Sequence, residues 1–241
     1  MRVRICIGVL IMVLAGMAGC AKGPEERSEQ AEALLEEKYG ESFIVTEYGN
    51  QIVGAGYYTV KAYAREYPEL PFTVRVDDDG KHFSDNYVER RVAQKISSQV
   101  LLNLASLPGY TYIFTQVPAA VLDITDADIS AEDYIAKNPA NLITINLTYC
   151  PIGDAAESLY DSLAGALKGL DFLQGMIVLN IADEETLREI QMFCDEKGSL
   201  DGDYKALENR CRSYSIRYSD GRLSQSREEF LGALEGQLQG E

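Results

Sequence analysis

Residues 71–104 read PFTVRVDDDGKHFSDNYVERRVAQKISSQVLLNL. At the start of this stretch, apolar residues alternate with Thr73 and Arg75, and this period of two predicts a strand over residues 72–76 with one buried face. Three aspartates and a glycine follow at positions 77–80, a composition that favours a turn. The stretch therefore begins as a strand that ends in an acidic turn.

A long helix is predicted after this turn, from Asp85 to Leu104, with Ser84 or Asp85 as its N-cap. Branched apolar side chains recur at every fourth position, as expected for a stripe that faces a core. The charged residues Arg90 and Arg91 fall outside the stripe. The stripe consists of Val88, Val92, Ile96 and Val100.

Strand and helix patterns also alternate through the rest of the chain. Together they predict an α+β fold in two subdomains, each a mostly antiparallel sheet with packed helices. Residues 110–114 have a strand pattern and are assigned to the first subdomain. The predicted boundaries are 1–19 for a signal peptide, 20–27 for a tether, 28–116 for the first subdomain, 117–129 for a linker and 130–241 for the second subdomain.

Three sequence patterns in the second subdomain each predict a particular strand or helix. Residues 142–149 alternate apolar and polar side chains, which predicts a strand whose polar residues face solvent. Residues 176–181 are almost entirely apolar and predict a central strand buried on both faces. Ser226 and Glu229 have the spacing of a capping box and predict the start of a last helix.

The N-terminus has the pattern of a secretion signal. Arg2 and Arg4 precede an apolar run over residues 5–18, which is shorter than the roughly 20 residues that a membrane span requires. The run ends in Met17-Ala18-Gly19-Cys20, which resembles the bacterial lipobox. That resemblance implies lipidation of Cys20 and stable anchoring through two acyl chains, on the outer face of the membrane. The alternative is an ordinary signal peptide that leaves Cys20 as a free thiol.

The composition is strongly acidic, with 38 Asp and Glu against 22 Lys and Arg and a net charge of −16. Loss of Arg2 and Arg4 with a signal peptide makes the mature chain more acidic still. This balance argues against nucleic-acid binding, which needs a basic face, and against side-chain binding to anionic lipid. The acidity is interpreted either as a soluble, repulsive surface or as a surface for cations or a basic partner.

Cysteines and the single histidine restrict the chemistry. Cys150, Cys194 and Cys211 are too widely spaced for a zinc site in a chain whose sole histidine is His82. Outside the cytoplasm a disulfide can form, and Cys194 with Cys211, which closes the shorter loop, is the candidate pair. The alternative is three buried thiols that behave as small apolar side chains.

No catalytic motif is recognised in the sequence. A Gly-x-Ser-x-Gly elbow is absent, and the turn at 77–80 fails the spacing of an EF-hand, although a looser cation site of Asp77, Asp79 and Asp85 stays open. We therefore assign no catalytic residue, no metal ligand and no cofactor. Sugar or peptide binding through tyrosines is an alternative to their simple packing in sheets, the residues concerned being Tyr57, Tyr63 and Tyr67.

Several segments together resemble small uncharacterised lipoproteins of Gram-positive bacteria. The resemblance covers about residues 1–105 and rests on the lipobox, on LLEEKYGESF at 34–43, and on FTVRVD at 72–77 leading to SDNY at 84–87. It implies the location and the first subdomain, and it implies no activity.

The expected function is that of a lipoprotein, anchored to the cell membrane through Cys20, that acts in the cell envelope by binding. Its expected partners are the membrane, through the anchor, and a protein or cell-wall component, with no nucleic acid. Two alternatives remain. One is an envelope hydrolase that uses carboxylates, and the other is an acidic inhibitor or immunity-type protein that covers a basic partner.

Overall fold

The computed structural model describes residues 23–48, 55–120, 124–139, 142–152 and 156–238. Its helices are α1 Pro24–Tyr39, α2 Tyr87–Asn103, α3 Ala131–Lys137, α4 Ala156–Ala166, α5 Glu184–Lys197, α6 Tyr204–Glu208 and α7 Arg227–Leu238. With two sheets they form an α+β fold, which confirms the predicted class. None of the helices in these ranges is long and apolar enough to cross a membrane. The predicted signal peptide and Cys20 lie outside the described residues.

The first sheet consists of β1 Phe43–Tyr48, β2 Tyr57–Ala64, β3 Phe72–Asp77 and β4 Phe83–Asp85. These strands form an antiparallel meander in chain order. Alternation along β2 and β3 buries one face, which packs against Ala31 and Leu35 of α1. Three aromatic rings of this core lie close together, with the Tyr87 ring centre 4.8 Å from that of Phe72 and 5.2 Å from that of Phe43.

The second sheet consists of β5 Gly109–Gln116, β6 Ile143–Pro151, β7 Gln174–Ile181, β8 Arg212–Ser219 and β9 Arg222–Leu223. The strands again lie in chain order. Only the β6–β7 pair is parallel, and α4 lies in the crossover between these two strands. The sheet is thus mostly antiparallel, and β7 lies between two neighbours, as its apolar run predicts.

Helices cover both faces of the second sheet. On one face, Ile145 of β6 packs in a core with side chains of α2, α4 and α7. On the other face, Phe114 of β5 packs with α5 and with Tyr204 of α6. The prediction that the polar residues of β6 face solvent is therefore wrong, since Asn146 and Thr148 are 6% and 1% exposed.

Helix α2 begins at Tyr87, later than predicted, because the two residues expected to cap it belong to β4. Asp85 pairs with Val74 of β3. Its carboxylate accepts hydrogen bonds from the Tyr39 hydroxyl at 2.6 Å and from Lys38 Nζ at 3.1 Å. Asn86 occupies the N-cap position and makes no side-chain capping bond.

Strand β5 belongs to the second sheet, whereas the sequence assigns residues 110–114 to the first subdomain. It pairs with β6 along its whole length, beginning with Gly109 opposite Pro151. The alternation within a strand shows which face is buried and does not show which strand lies beside it. The chain therefore passes from the first sheet to the second through α2, before the predicted linker at 117–129.

The two sheets meet along α2 and at the end of α5. Tyr87 lies in the core of the first sheet, while the branched stripe of α2 packs in the core of the second. Gly198, which follows α5, lies against Pro71, which precedes β3. Lys61 of β2 donates a hydrogen bond to the Lys197 carbonyl at the end of α5. Gly198 also lines the first of the cavities that are described next.

Candidate functional site

Arg90 of α2 lies where the two sheets meet. The carbon of its guanidinium group is 4.7 Å from the centre of the Phe114 ring in β5. Its Nε donates a hydrogen bond of 3.3 Å to the carbonyl oxygen of Pro71, beside β3. A single side chain therefore contacts both halves of the fold.

Two cavities lie beside this guanidinium group. The first cavity has a volume of about 190 Å³ and the second a volume of about 270 Å³, and Arg90 lines both. Within the described residues, Nη1 and Nη2 of Arg90 have no hydrogen-bond or ion-pair partner, and no fully buried side-chain nitrogen or oxygen lacks one. These two nitrogens therefore retain accessible surface, on a side chain that lines both cavities.

The electrostatic state of Arg90 follows from its partial burial. Burial lowers the pKa of Arg90, while Tyr112, Cys194 and Asp195 act in the opposite direction. The guanidinium stays charged at neutral pH, since the ordinary pKa of arginine is about 12.5 or above. The lowered pKa marks a cation that has lost part of its hydration without a close anionic partner, so an anion in either cavity would stabilise it.

Two amide side chains supply hydrogen-bond donors to the first cavity. Asn86 Oδ1 accepts a bond of 2.8 Å from the backbone N–H of Thr73. Gln116 Oε1 accepts a bond of 3.3 Å from Nδ2 of Asn146, whose orientation is fixed because Nδ2 also donates to the Phe114 carbonyl. With both amide oxygens engaged, the NH₂ groups of Asn86 and Gln116 are the parts left for a ligand.

Carboxylates line the same two cavities. Glu89 and Asp201 border the first cavity, and Glu69 and Asp195 border the second. Asp195 accepts a hydrogen bond of 2.9 Å from the Tyr112 hydroxyl. Burial raises the pKa of Tyr112, so that this hydroxyl remains a donor at neutral pH. Each cavity therefore combines the shared cation with two carboxylates.

A third cavity, of about 320 Å³, lies around the neighbouring residue Arg91. Four carboxylates and two tyrosines border it, which is the kind of lining that a hydrolase with paired carboxylates requires. Its lining includes Tyr39, Glu41, Glu66, Tyr67, Asp126 and Asp128.

Arg91 is itself bound within the protein. It is 5% exposed, and its guanidinium carbon lies 3.8 Å from the centre of the Tyr67 ring. Nη1 donates to the Tyr87 hydroxyl at 3.0 Å, and Nη2 donates to Asp128 Oδ1 at 2.8 Å. The Tyr87 hydroxyl donates in turn to Glu41 at 2.8 Å. This network holds two of the four carboxylates of the third cavity in place.

The acidic turn between β3 and β4 brings together a different set of residues from the cation site that the sequence analysis considered. Ligand atoms of Asp77, Asp79 and His82 lie within 4.8 Å of one another. The His82 side chain is 78% exposed, and its Nδ1 lies 3.9 Å from Asp79. Asp85 is not a member of this group, because its carboxylate is bound to Lys38 of α1.

The tyrosines considered for sugar or peptide binding occupy different surroundings. Tyr67 lies under Arg91 and borders the third cavity. Tyr57 lies under Arg75, whose guanidinium carbon is 3.7 Å from the ring centre. Tyr63 pairs with Ile44 in the first sheet. Tyr67 is thus the member of this set that borders a described cavity.

The three cysteines of the described chain, Cys150, Cys194 and Cys211, are free thiols. Cys194 and Cys211 pack in one cluster with Tyr204. Burial raises the pKa of Cys194 to about 12 and that of Cys211 to about 11. The candidate Cys194–Cys211 disulfide is not formed in this structure, and pairing under oxidising conditions stays a prediction.

The fold is similar to that of a solved bacterial protein. No protein-family profile and no curated protein matches this sequence. A DUF5037 family protein from Ruminococcus gnavus ATCC 29149 superposes with a TM-score of 0.64, over 89% of this chain and 99% of that one. The likeness is one of fold. At 15% identity it carries no activity to this chain, and none is indicated.

The cavities beside Arg90 are not predictable from the sequence pattern. Arg90 and Arg91 fall outside the apolar stripe of α2, as charged residues on a solvent-facing side also do. Both are partly or fully buried because α2 is covered by both sheets. A pair of adjacent arginines beside an apolar stripe is the one signal that the sequence offers. It does not distinguish arginines that face solvent from arginines that are buried between two sheets.

Proposed function

We propose that the protein is a lipoprotein of the cell envelope, anchored to the outer face of the membrane through lipidated Cys20, and that it binds a ligand rather than catalysing a reaction. The observation that carries the anchor is the lipobox-like Met17-Ala18-Gly19-Cys20 at the end of an apolar run. The tether predicted over residues 20–27 overlaps the start of α1 at Pro24, so residues 20–23 are left to link the membrane to the folded part.

The binding role rests on Arg90 and its two cavities. A half-buried cation with two accessible nitrogens, beside amide donors and carboxylates, suits recognition of a small polar ligand. Both volumes lie below the roughly 300 Å³ at which sites for drug-sized ligands begin. The ligand is therefore a small molecule, or the end group of a larger one.

The anchor is tested by metabolic labelling with an alkyne-bearing fatty acid. Cells that express the full chain should yield a labelled protein in the membrane fraction, and Cys20→Ala should abolish the label. Cys150→Ala is the matched control, since it removes a thiol of the folded part and should leave the label unchanged. Equal labelling of wild type and Cys20→Ala would contradict the proposal.

A hydrolase that uses carboxylates is the second candidate function, favoured by the four acids of the third cavity. Glu66 is the natural target for a test, because Glu41 and Asp128 have bonds to Tyr87 and Arg91. Release of reducing sugar from cell-wall glycan by the wild type, and its loss in Glu66→Gln, would support this candidate. Absence of release by the wild type would contradict it.

A further inference from the structure

We propose that the first cavity beside Arg90 binds the carboxylate of a zwitterionic ligand, either a free amino acid or the C-terminal residue of a short peptide. This inference deepens the proposed binding role and is independent of the lipid anchor. It names the ligand class from the charges and donors around Arg90.

The carboxylate of the ligand binds the donors of the first cavity. Nη1 and Nη2 of Arg90 form a planar pair of donors that matches the two oxygens of a carboxylate. Asn86 and Gln116 line the same cavity, and their NH₂ groups have no partner among the described residues. Three side chains from α2, its N-cap and β5 thus present donors, while their acceptor atoms are used within the protein.

The carboxylates of the first cavity select against a second negative charge. The lining contains two carboxylates, those of Glu89 and Asp201, and one guanidinium, that of Arg90. It therefore has more negative than positive charge. A phosphate or a dicarboxylate would meet this excess and be repelled. A ligand that carries one carboxylate and one ammonium group matches both signs.

The ammonium group of the ligand has a defined place in the same cavity. Asp201 has no hydrogen-bond or ion-pair partner among the described residues, whereas Glu89 Oε1 accepts bonds from Ala120 N and from the Tyr134 hydroxyl. The C-terminal end of α5, which carries the negative pole of the helix dipole, precedes Ser199 on the cavity wall. Asp201 therefore provides the main contact for the ammonium group.

The second cavity accommodates the remainder of the ligand. It adjoins the first through Arg90, Ala93, Phe114 and Thr115, which line both. Its wall includes the apolar side chains of Leu70 and Ile113. A ligand held by its carboxylate at Arg90 can place an apolar side chain against this wall, so we expect small apolar residues to be preferred.

The inference is tested by calorimetric titration of the full chain in detergent with four probes. These are alanine, the dipeptide Ala-Ala, its C-terminal amide and its N-acetyl derivative. Ala-Ala or alanine should bind, and loss of either charge should weaken binding at least about tenfold, as expected for hydrogen bonds to charged groups. Stronger binding of alanine identifies a free amino acid as the ligand, and stronger binding of Ala-Ala identifies a peptide terminus.

Variants locate the binding at Arg90. Arg90→Gln should abolish binding, and Arg90→Lys should weaken it because lysine lacks the planar pair of donors. Arg75→Gln is the matched control, since Arg75 also lies over an aromatic ring but is exposed and lines neither cavity. It should bind like the wild type.

A readout without any variant covers the case in which Arg90→Gln fails to fold. The NMR signal of the Arg90 Nε–H group in the wild type should shift on titration with Ala-Ala. The proposal is overturned if Ala-Ala and its amide bind equally, if inorganic phosphate binds more tightly than Ala-Ala, or if no probe binds at 10 mM, about the weakest affinity worth naming as a site. None of these outcomes bears on the lipid anchor, which the Cys20 experiment tests separately.

Discussion

Gly198 lies so close to Pro71 that a Cβ atom added at Gly198 would stand 2.5 Å from the Pro71 carbonyl oxygen. The same oxygen accepts the hydrogen bond from Arg90 Nε. Gly198 has a φ of +63°, as the residue that ends α5. One backbone oxygen therefore connects the end of α5, the entry to β3 and the candidate binding residue.

This close approach predicts a specific cost for Gly198→Ala. The left-handed backbone alone costs roughly 1 kcal/mol for alanine, and the clash with Pro71 adds to it. Gly202→Ala is the control, because Gly202 has a φ of +67° and nothing within 4 Å of the added Cβ. Urea denaturation should give a larger loss in the free energy of unfolding for Gly198→Ala, and equal losses would contradict the contact.

The network around Arg91 predicts that substitutions of Arg91 and of Asp128 change the free energy of unfolding by different amounts. Arg91→Ala removes a buried stack on Tyr67 and the bond to Tyr87, and we expect it to cost about 2 kcal/mol or more. Asp128→Asn should change the free energy of unfolding by only about 0.5 kcal/mol, because the Asp128 side chain is 86% exposed and exposed ion pairs contribute little. Thermal or urea denaturation of both variants measures the difference, and similar costs would show that the ion pair dominates.

The raised thiol pKa values predict a loss of stability in alkaline solution. In the folded chain the pKa of Cys211 is about 11 and that of Cys194 about 12, against about 8.5 for a free thiol. Stability is thus fully present below about pH 8.5 and falls as the pH rises above it, because the unfolded chain loses protons first. The double variant Cys194→Ala, Cys211→Ala should show a shallower fall between about pH 8.5 and 10 in urea denaturation.

The same two thiols predict how the chain responds to oxidation. If Cys194 and Cys211 form the candidate disulfide, mild oxidation should lower the intact mass by two hydrogens and leave Cys150 open to alkylation. Oxidised protein should then lose the alkaline decline in stability. Full alkylation of all three cysteines after oxidation and unfolding would rule the pairing out.

The capping box at the start of α7 gives a prediction about both stability and titration. Ser226 Oγ accepts from Glu229 N, and Glu229 accepts from Ser226 N at 2.8 Å, as the sequence predicts. The Ser226 backbone N–H, and the Ser226 hydroxyl that donates to the same carboxylate at 3.0 Å, lower the pKa of Glu229. Their contribution is therefore present above the ordinary glutamate pKa and is lost as the pH falls. Ser226→Ala should cost about 1 kcal/mol.

NMR titration separates the two bonds of the capping box. The larger cause of the lowered pKa of Glu229 is the backbone N–H of Ser226, which Ser226→Ala retains. The pKa of Glu229 should therefore return only part of the way toward its ordinary value in this variant. A complete return would mean that the serine hydroxyl alone holds the carboxylate.

The sequence predicted the elements whose signals are local. Alternation located β3, four-residue spacing located α2, and the cap at Ser226 is where the sequence places it. Each of these features depends on residues a few positions apart. They could therefore be derived without knowledge of what packs against them.

The features that the sequence did not predict depend on distant parts of the chain. The pairing of β5 with β6, the burial of Asn146 and Thr148, and the burial of Arg91 all follow from which elements lie side by side. The β4 strand of three residues was missed because it is too short to show alternation. The cavities beside Arg90 belong to this class, since they exist only where two sheets meet.

The shortness of β4 and β9 has a consequence for a protein held at a surface. In each sheet one edge ends in a strand of only three or two residues, so it offers few free backbone groups to another chain. Copies tethered through Cys20, as proposed, would share the plane of one membrane and collide often. The blunted edges disfavour strand pairing between neighbouring copies at β4 and β9, so any such pairing would have to use the longer edge strands β1 and β5.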